Sequence, residues 1–183
     1  MSNAPPDLLQ QLAAIVGEAH VLRAESDMAG YLTEPRDLFH GKALAIVRPA
    51  STQEIADILR LCNDTGTSLV PQGGNTGLVG GQVPDGSGHA ILLSLTRMDR
   101  LREVDLASNT MIVEAGMTLA RVQEEAEKAD RLFPLSLASE GSCTIGGNLA
   151  YGFDRMHTWL ALAHAQVFGL VDPQGVIGPG DHQ

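Results

Sequence analysis

The run Gln72-Gly73-Gly74-Asn75-Thr76-Gly77-Leu78-Val79-Gly80-Gly81 places five glycines within the nine residues from Gly73 to Gly81. Glycine tolerates φ > 0 and lets another molecule approach the main chain closely. Several consecutive N–H groups can then converge on one concavity, and such a nest binds an anion without a charged side chain. A diphosphate is the natural guest, with Asn75 and Thr76 as extra donors. The run contains no Lys, Arg, Asp, Glu, His or Cys. Its chemistry is therefore binding, not proton transfer or covalent catalysis.

Two familiar nucleotide motifs do not fit. A P-loop ends in Gly-Lys-Ser/Thr, and that triplet is absent from the sequence. The dinucleotide fingerprint Gly-x-Gly-x-x-Gly requires a following helix, whereas Gln82-Val83-Pro84-Asp85-Gly86 reads as a turn. A second cluster, Glu140-Gly141-Ser142-Cys143-Thr144-Ile145-Gly146-Gly147-Asn148, reads as another glycine loop. Two such loops could close on one elongated ligand. The pattern alone leaves two readings open: a site for a dinucleotide or other phosphorylated ligand, and glycine-rich surface loops between strands.

The elements that must position these loops are legible from periodicity. Leu8, Leu9, Leu12, Ile15 and Val16 share one helical face, and Gly17 ends that helix. Residues 44 to 48 read as a short buried strand. Ser51 with Glu54 is a capping-box signature, and Ile55, Ile58, Leu59 and Cys62 form the apolar face of the helix it starts. Gly66 stands at the C-terminal cap. Ser68 to Pro71 is the next strand, so residues 44 to 71 form a strand–helix–strand unit with parallel strands. Ala90 to Leu95 is a third strand. Leu101 to Asp105 and Met111 to Ala115 read as a hairpin turning at Ala107-Ser108-Asn109. Thr118 caps a further helix with Leu119, Val122 and Ala126 on one face and Glu124, Glu125, Glu127 and Lys128 on the solvated other. Phe133 to Leu137 is extended, and Pro84 to Gly88 is an exposed turn. The order suggests an α+β protein of two lobes, a small βαβ lobe followed by a mainly antiparallel one.

Composition narrows the partners. The 183 residues carry a formal net charge of −10 and no Lys/Arg cluster, which sets nucleic acid aside. An anionic ligand must therefore be held by local N–H groups against the global field. Cys62 and Cys143 lie in no metal-like spacing and read as reduced thiols of a cytoplasmic protein. The six histidines form no close ligand pair, so no metal site is expected. Neither a signal peptide nor a membrane span is legible.

Three ordered stretches carry a resemblance: Arg48-Pro49-Ala50-Ser51-Thr52-Gln53-Glu54-Ile55, then Pro71 to Gly81, then Gly141 to Asn148. Together they resemble FAD-linked oxidases with a p-cresol methylhydroxylase/vanillyl-alcohol oxidase (PCMH/VAO) type of FAD domain. Within these the sequence is most similar to D-2-hydroxy-acid dehydrogenases, a branch that includes D-lactate and D-2-hydroxyglutarate dehydrogenases and the glycolate oxidase flavin subunit. Tyr31 to Gly41 resembles the segment leading into that domain. The resemblance implies a lead-in segment over 1–43 and an incomplete PCMH-type FAD-binding domain over 44–183. It implies that the N–H groups of Gly73, Gly74, Asn75, Thr76 and Gly77 wrap the FAD pyrophosphate, with Pro71, Gln72 and Leu78 beside them. It further implies that Pro134, Gly141, Ser142, Thr144, Ile145, Gly146, Gly147 and Asn148 line the flavin and ribityl side. Some relatives carry a flavin-linked histidine after Gly-Gly; Asn75 stands there, which implies non-covalent FAD. The reaction implied is hydride transfer from a D-2-hydroxy acid to the flavin, giving a 2-oxo acid.

After Ala150 the likeness fades. Tyr151 to His157 stand where the family continues with a small-residue run, and only Val167 to Ile177 resembles its next strand. The substrate domain, with the family's substrate arginines and catalytic base, is expected to be missing. No catalytic residue is assigned; His157, His164 and Trp159 read as surface or packing residues. A small hydroxy-acid substrate is then expected only if the missing domain is supplied, for instance by a partner subunit. The rival reading is a flavin-binding or degenerate module without turnover of its own.

Overall fold

A computed structural model describes residues 7–150 and 166–169. The chain divides into two compact units, Met1–Met98 and Asp99–Gln183. His157, His164, Trp159 and the stretch from Tyr151 to His157 lie outside the described residues.

The first unit begins with helix α1 (Leu8–Val16), whose Leu8, Leu12 and Val16 are buried and whose end is marked by Gly17 at φ 88°. Strand β1 (Val21–Leu22) and the short helix α2 (Glu25–Met28) follow. Strand β2 (Ala45–Val47) leads into α3 (Thr52–Thr65), and β3 (Leu69–Gln72) and β4 (Ile91–Ser94) complete the sheet. Its strand order is β1-β2-β4-β3. Strands β2 and β3 each run parallel to β4, which lies between them, and β1 is antiparallel to β2. The expected parallel strand–helix–strand unit is therefore present with a third strand inserted at its centre. Strands β2 and β4 are buried along their whole length, the pattern of parallel strands covered on both faces. Ala45, Val47, Ile91 and Leu93 share a core with Leu8, Leu12, Ile58 and Cys62.

Two local readings change in detail. Ser51 Oγ accepts the N–H of Glu54 at 3.1 Å, but the Glu54 carboxylate reaches back to the N–H of Ala50 at 2.8 Å instead of Ser51. The cap is reciprocal and one residue wider than expected. Leu59, expected on the apolar face, is 48% exposed, whereas Ile58 is fully buried. Neighbouring residues on a helix diverge by about 100°, and α3 turns the Ile58 side to the core. Gly66 caps α3 at φ 63° as expected.

The second unit opens with the hairpin β5 (Leu101–Asp105) and β6 (Thr110–Val113). Asp105 Oδ1 accepts the N–H groups of Ala107 and Ser108 at 2.9 and 3.3 Å, and Asn109 takes φ 51°. An Asx turn thus closes the hairpin where the sequence places it. Strand β7 (Gln166–Gly169) pairs antiparallel with β6 and makes a three-stranded sheet. Helix α4 (Leu119–Lys128), capped by Thr118, buries Leu119, Val122 and Ala126 as its spacing predicts. Phe133 to Leu137 forms no strand. The second glycine segment, read as a loop, ends in helix α5 (Ile145–Ala150). Glycine disfavours helix in isolation; here tertiary contacts, described below, override it.

Candidate functional site

The loop after β3 leaves the C-terminal edge of the parallel strands, where open α/β sheets hold their ligands. Gln72, the last residue of β3, is buried, and its Nε2 donates to Tyr31 O at 2.8 Å and to Gln82 O at 3.1 Å. Asn75 stands at φ 54°. Its Nδ2 donates to Gly30 O at 3.1 Å and Thr33 O at 2.9 Å. Gln82 Nε2 donates to Gly77 O at 2.7 Å, and the Arg36 guanidinium donates to Leu78 O. Among the described residues, the main-chain N–H groups from Gly73 to Val79 reach no acceptor. The loop therefore offers a row of free donors backed by tethered carbonyls, the arrangement an anion needs.

The glycines of this loop differ in role from the expectation. Positive φ falls on Asn75 and on Gly80, at 77°. A Cβ at Gly80 would sit 2.7 Å from the Phe39 ring, so Gly80 permits that ring to pack against the loop. Gly74 is not among the positive-φ glycines, so of the two reasons for glycine there, close approach of a ligand remains and φ does not.

Tyr31 to Gly41, read from sequence as a lead-in, builds the back of this loop together with Gly30. Glu34 is buried. Its carboxylate accepts the N–H groups of Arg36 and Leu38, each at 2.8 Å, and lies 3.8 Å from Arg36 Nε. Burial raises its pKa, but these amides and the Arg36 charge outweigh burial and hold it below the ordinary value. A Cβ at Gly41 would meet Pro84 O at 2.3 Å, which fixes the segment against the turn beyond the loop. Sequence reasoning missed Arg36 because Leu78 is distant in sequence, and missed Gln82 and Glu34 because their short-range bonds lie in irregular backbone that no periodicity encodes.

The second unit carries Pro134, Gly141, Ser142, Thr144, Ile145, Gly146, Gly147 and Asn148. Pro134, Gly141 and Ser142 are exposed, whereas Thr144, Ile145 and Asn148 are buried. Here five amides are already used: Ser142 and Cys143 donate to Ser139 O, Ile145 to Met117 O, Gly146 to Ala115 O and Asn148 to Thr144 O. A Cβ at Gly146 would lie 2.9 Å from Ala115 Cβ and 3.0 Å from Ala115 O. Gly146 thus allows α5 to close on Ala115, and the Ile145 side chain enters the core with Met117 and Leu119. Thr144 Oγ1 and Asn148 Nδ2 are buried without a partner among the described residues.

Residues 43–176 match the model of a family described as an FAD binding domain. The chain belongs to that family. The matched stretch runs on beyond Ala150. Relatives include a mitochondrial D-2-hydroxyglutarate dehydrogenase of Danio rerio, 39% identical, with 60% of this chain and 20% of that protein covered. The Bos taurus enzyme of the same name is 33% identical, covering 75% of this chain and 27% of its own. A D-2-hydroxyglutarate–pyruvate transhydrogenase of Saccharomyces cerevisiae is 34% identical, covering 68% and 25%. This FAD-binding chain therefore spans about a quarter of the length of the curated relatives it matches. Among solved structures, an alkyldihydroxyacetonephosphate synthase superposes with TM-score 0.74 at 20% identity, covering 80% of this chain and 31% of that one. A 4-ethylphenol oxidase from Gulosibacter chungangensis gives 0.64 at 25%, covering 78% and 28%. A p-cresol methylhydroxylase gives 0.64 at 16% with the same coverage. The fold is thus α+β of the PCMH type, as the sequence motifs imply.

FAD is the cofactor of this family, and the residues present fit it. The free N–H row suits a diphosphate. Asn75 Oδ1 and Gln82 Oε1 on the first unit, like Thr144 Oγ1 and Asn148 Nδ2 on the second, are buried polar atoms with no protein partner among the described residues. Such atoms call for a ligand or water. No helix among the described residues is long and apolar enough to cross a membrane.

Proposed function

We propose that this chain is the FAD-binding part of an oxidoreductase that oxidises a D-2-hydroxy acid to a 2-oxo acid, with FAD held non-covalently. The single observation that carries the reading is the row of amides from Gly73 to Val79 with no partner among the described residues, in a chain of this family. The names of the curated relatives support the substrate class. When bound, the flavin supplies the hydride acceptor, and the protein supplies orientation and electrostatics.

In this reading Gly73, Gly74, Asn75, Thr76 and Gly77 donate to the diphosphate, with Pro71, Gln72 and Leu78 shaping the loop. Pro134 and Gly141 to Asn148 serve the flavin and ribityl side, where Thr144 Oγ1 and Asn148 Nδ2 are buried with no partner among the described residues. Asn75 supports the non-covalent mode. It stands at the position of the flavin-linked histidine of some relatives, and its amide is engaged by Gly30 O and Thr33 O. Both thiols are free and buried, which supports a reducing compartment such as the cytoplasm.

A second reading, a flavin-binding module that does not turn over alone, draws on the loop's lack of any titratable side chain. The visible spectrum of the purified chain, before and after added FAD, tests the shared premise. A bound oxidised-flavin spectrum is expected; a colourless protein indifferent to FAD overturns both readings. Dye reduction on adding D-2-hydroxyglutarate or D-lactate then separates the enzyme from the module.

A further inference from the structure

The two carbonyls tied back within the glycine loop have a geometric corollary. In a trans peptide the C=O of one residue and the N–H of the next point in opposite directions within one plane. Gln82 Nε2 draws Gly77 O toward itself at 2.7 Å, so the N–H of Leu78 is turned away from Gln82. Arg36 draws Leu78 O, so the N–H of Val79 is turned away from Arg36. Neither N–H meets an acceptor among the described residues, and Leu78 and Val79 are 49% and 68% exposed.

Each clamp is itself held. The main-chain oxygen of Gln82 accepts Gln72 Nε2 at 3.1 Å, which links the clamp to the end of β3. Arg36 is steadied by the buried Glu34 carboxylate, 3.8 Å from its Nε, which also receives the Arg36 N–H at 2.8 Å. Two chains of contact therefore run from fixed structure to consecutive peptide planes: Gln72 to Gln82 to Gly77, and Glu34 to Arg36 to Leu78.

We propose that Gln82 and Arg36 are positioning residues for the FAD diphosphate, which extend the donor row to the N–H groups of Leu78 and Val79 by fixing the peptide planes that carry them. Neither side chain need touch the ligand. A carbonyl free to rotate toward an anion would repel it, and the clamps prevent that rotation before binding, so less ordering remains to be done when the ligand arrives. The inference rests on the loop being the diphosphate site.

The test uses the full chain, FAD titration and the ³¹P spectrum of bound FAD, with Gln82→Met, Arg36→Met and Gly74→Val. Gln82→Met keeps length and volume but removes the donor. Each methionine variant is expected to weaken FAD binding about five- to tenfold, the size of one net hydrogen bond. Each should also move the bound ³¹P resonances toward those of free FAD. Arg36 is half-exposed, so its variant remains informative if Gln82→Met fails to fold. Wild-type affinity and wild-type ³¹P shifts in both methionine variants, with binding lost in Gly74→Val, would overturn the positioning role and leave the loop assignment intact. Weaker binding with unmoved ³¹P shifts would make the role structural and also overturn it. FAD binding that survives in Gly74→Val would remove the loop assignment itself.

Discussion

In the loop after β3, the amides from Gly73 to Val79 reach no acceptor among the described residues. Around α5, by contrast, Ser142, Cys143, Ile145, Gly146 and Asn148 donate to carbonyls of their own unit. Both segments are rich in glycine, and in sequence they look like two versions of one device. The first uses small residues to keep main-chain donors accessible while side chains from elsewhere hold the carbonyls. The second uses Gly146 to bring a helix against Ala115, and its remaining polar atoms belong to side chains, Thr144 and Asn148. Glycine content reports that something approaches the backbone closely; it does not say whether that neighbour is a ligand or the protein itself.

That contrast is sharpest in substitutions that separate binding from stability. Gly74→Val is expected to eliminate the flavin absorption of the purified protein while leaving the urea midpoint close to that of the FAD-stripped wild type, since bound FAD itself adds stability. Gly146→Val should do the reverse in the second unit. Its Cβ would stand 2.9 Å from Ala115 Cβ and 3.0 Å from a main-chain oxygen, an overpacking that costs about 1–3 kcal/mol and lowers the midpoint. If instead Gly146→Val left the midpoint in place and only FAD affinity fell, the packing role of the second segment would be wrong.

Acid should also treat the two units differently. His20, in the first unit, is held below its ordinary pKa by burial and by the charges of Arg97 and Arg48. The unfolded chain takes up that proton near about pH 6.5 and the folded chain resists it, so stability of the first unit declines as pH falls below that value. In the second unit the Glu114 carboxylate is 2.9 Å from Arg100 and 3.0 Å from Arg102. Burial raises its pKa, but the guanidinium hydrogen bonds outweigh burial and pull it down. Its contribution is complete above about pH 4.3 and is lost as pH falls below that. Hydrogen exchange followed over a pH series should show the first unit softening before the second, and His20→Gln should remove the early step. The smallest effect belongs to Gly141→Ala. Nothing lies within 4 Å of its Cβ position, so the unfolding free energy should change by no more than about 0.5 kcal/mol.

Much of this was legible in the sequence because it is local. The Ser51 cap, the Gly66 terminus, the hairpin turn at Asp105 to Asn109 and the buried faces of α1 and α4 each depend on residues a few positions apart. The parallel strands were legible too, but not that β4 lies between β2 and β3, since pairing order is set by contacts across the chain. The same limit hid the back of the glycine loop. Arg36 reaches Leu78, and Asn75 reaches Gly30 and Thr33, across separations that no periodicity encodes. Helix α5 was misread because the low helix propensity of Gly146 and Gly147 is overridden by the close packing of Gly146 on Ala115.

Among the described residues strand β3 is the edge of its sheet, and its pairing has a consequence for solubility. Ser68 O accepts the amide of Ile91 in β4 and Gln72 O that of Leu95 just beyond it, so Leu69 and Pro71 direct their main-chain groups to the open side. Proline has no N–H to offer there. A stray chain seeking to add itself as a fifth strand would find the ladder interrupted one residue before the loop begins. The edge is thereby guarded against intermolecular pairing just before the loop whose amides are proposed to receive the diphosphate.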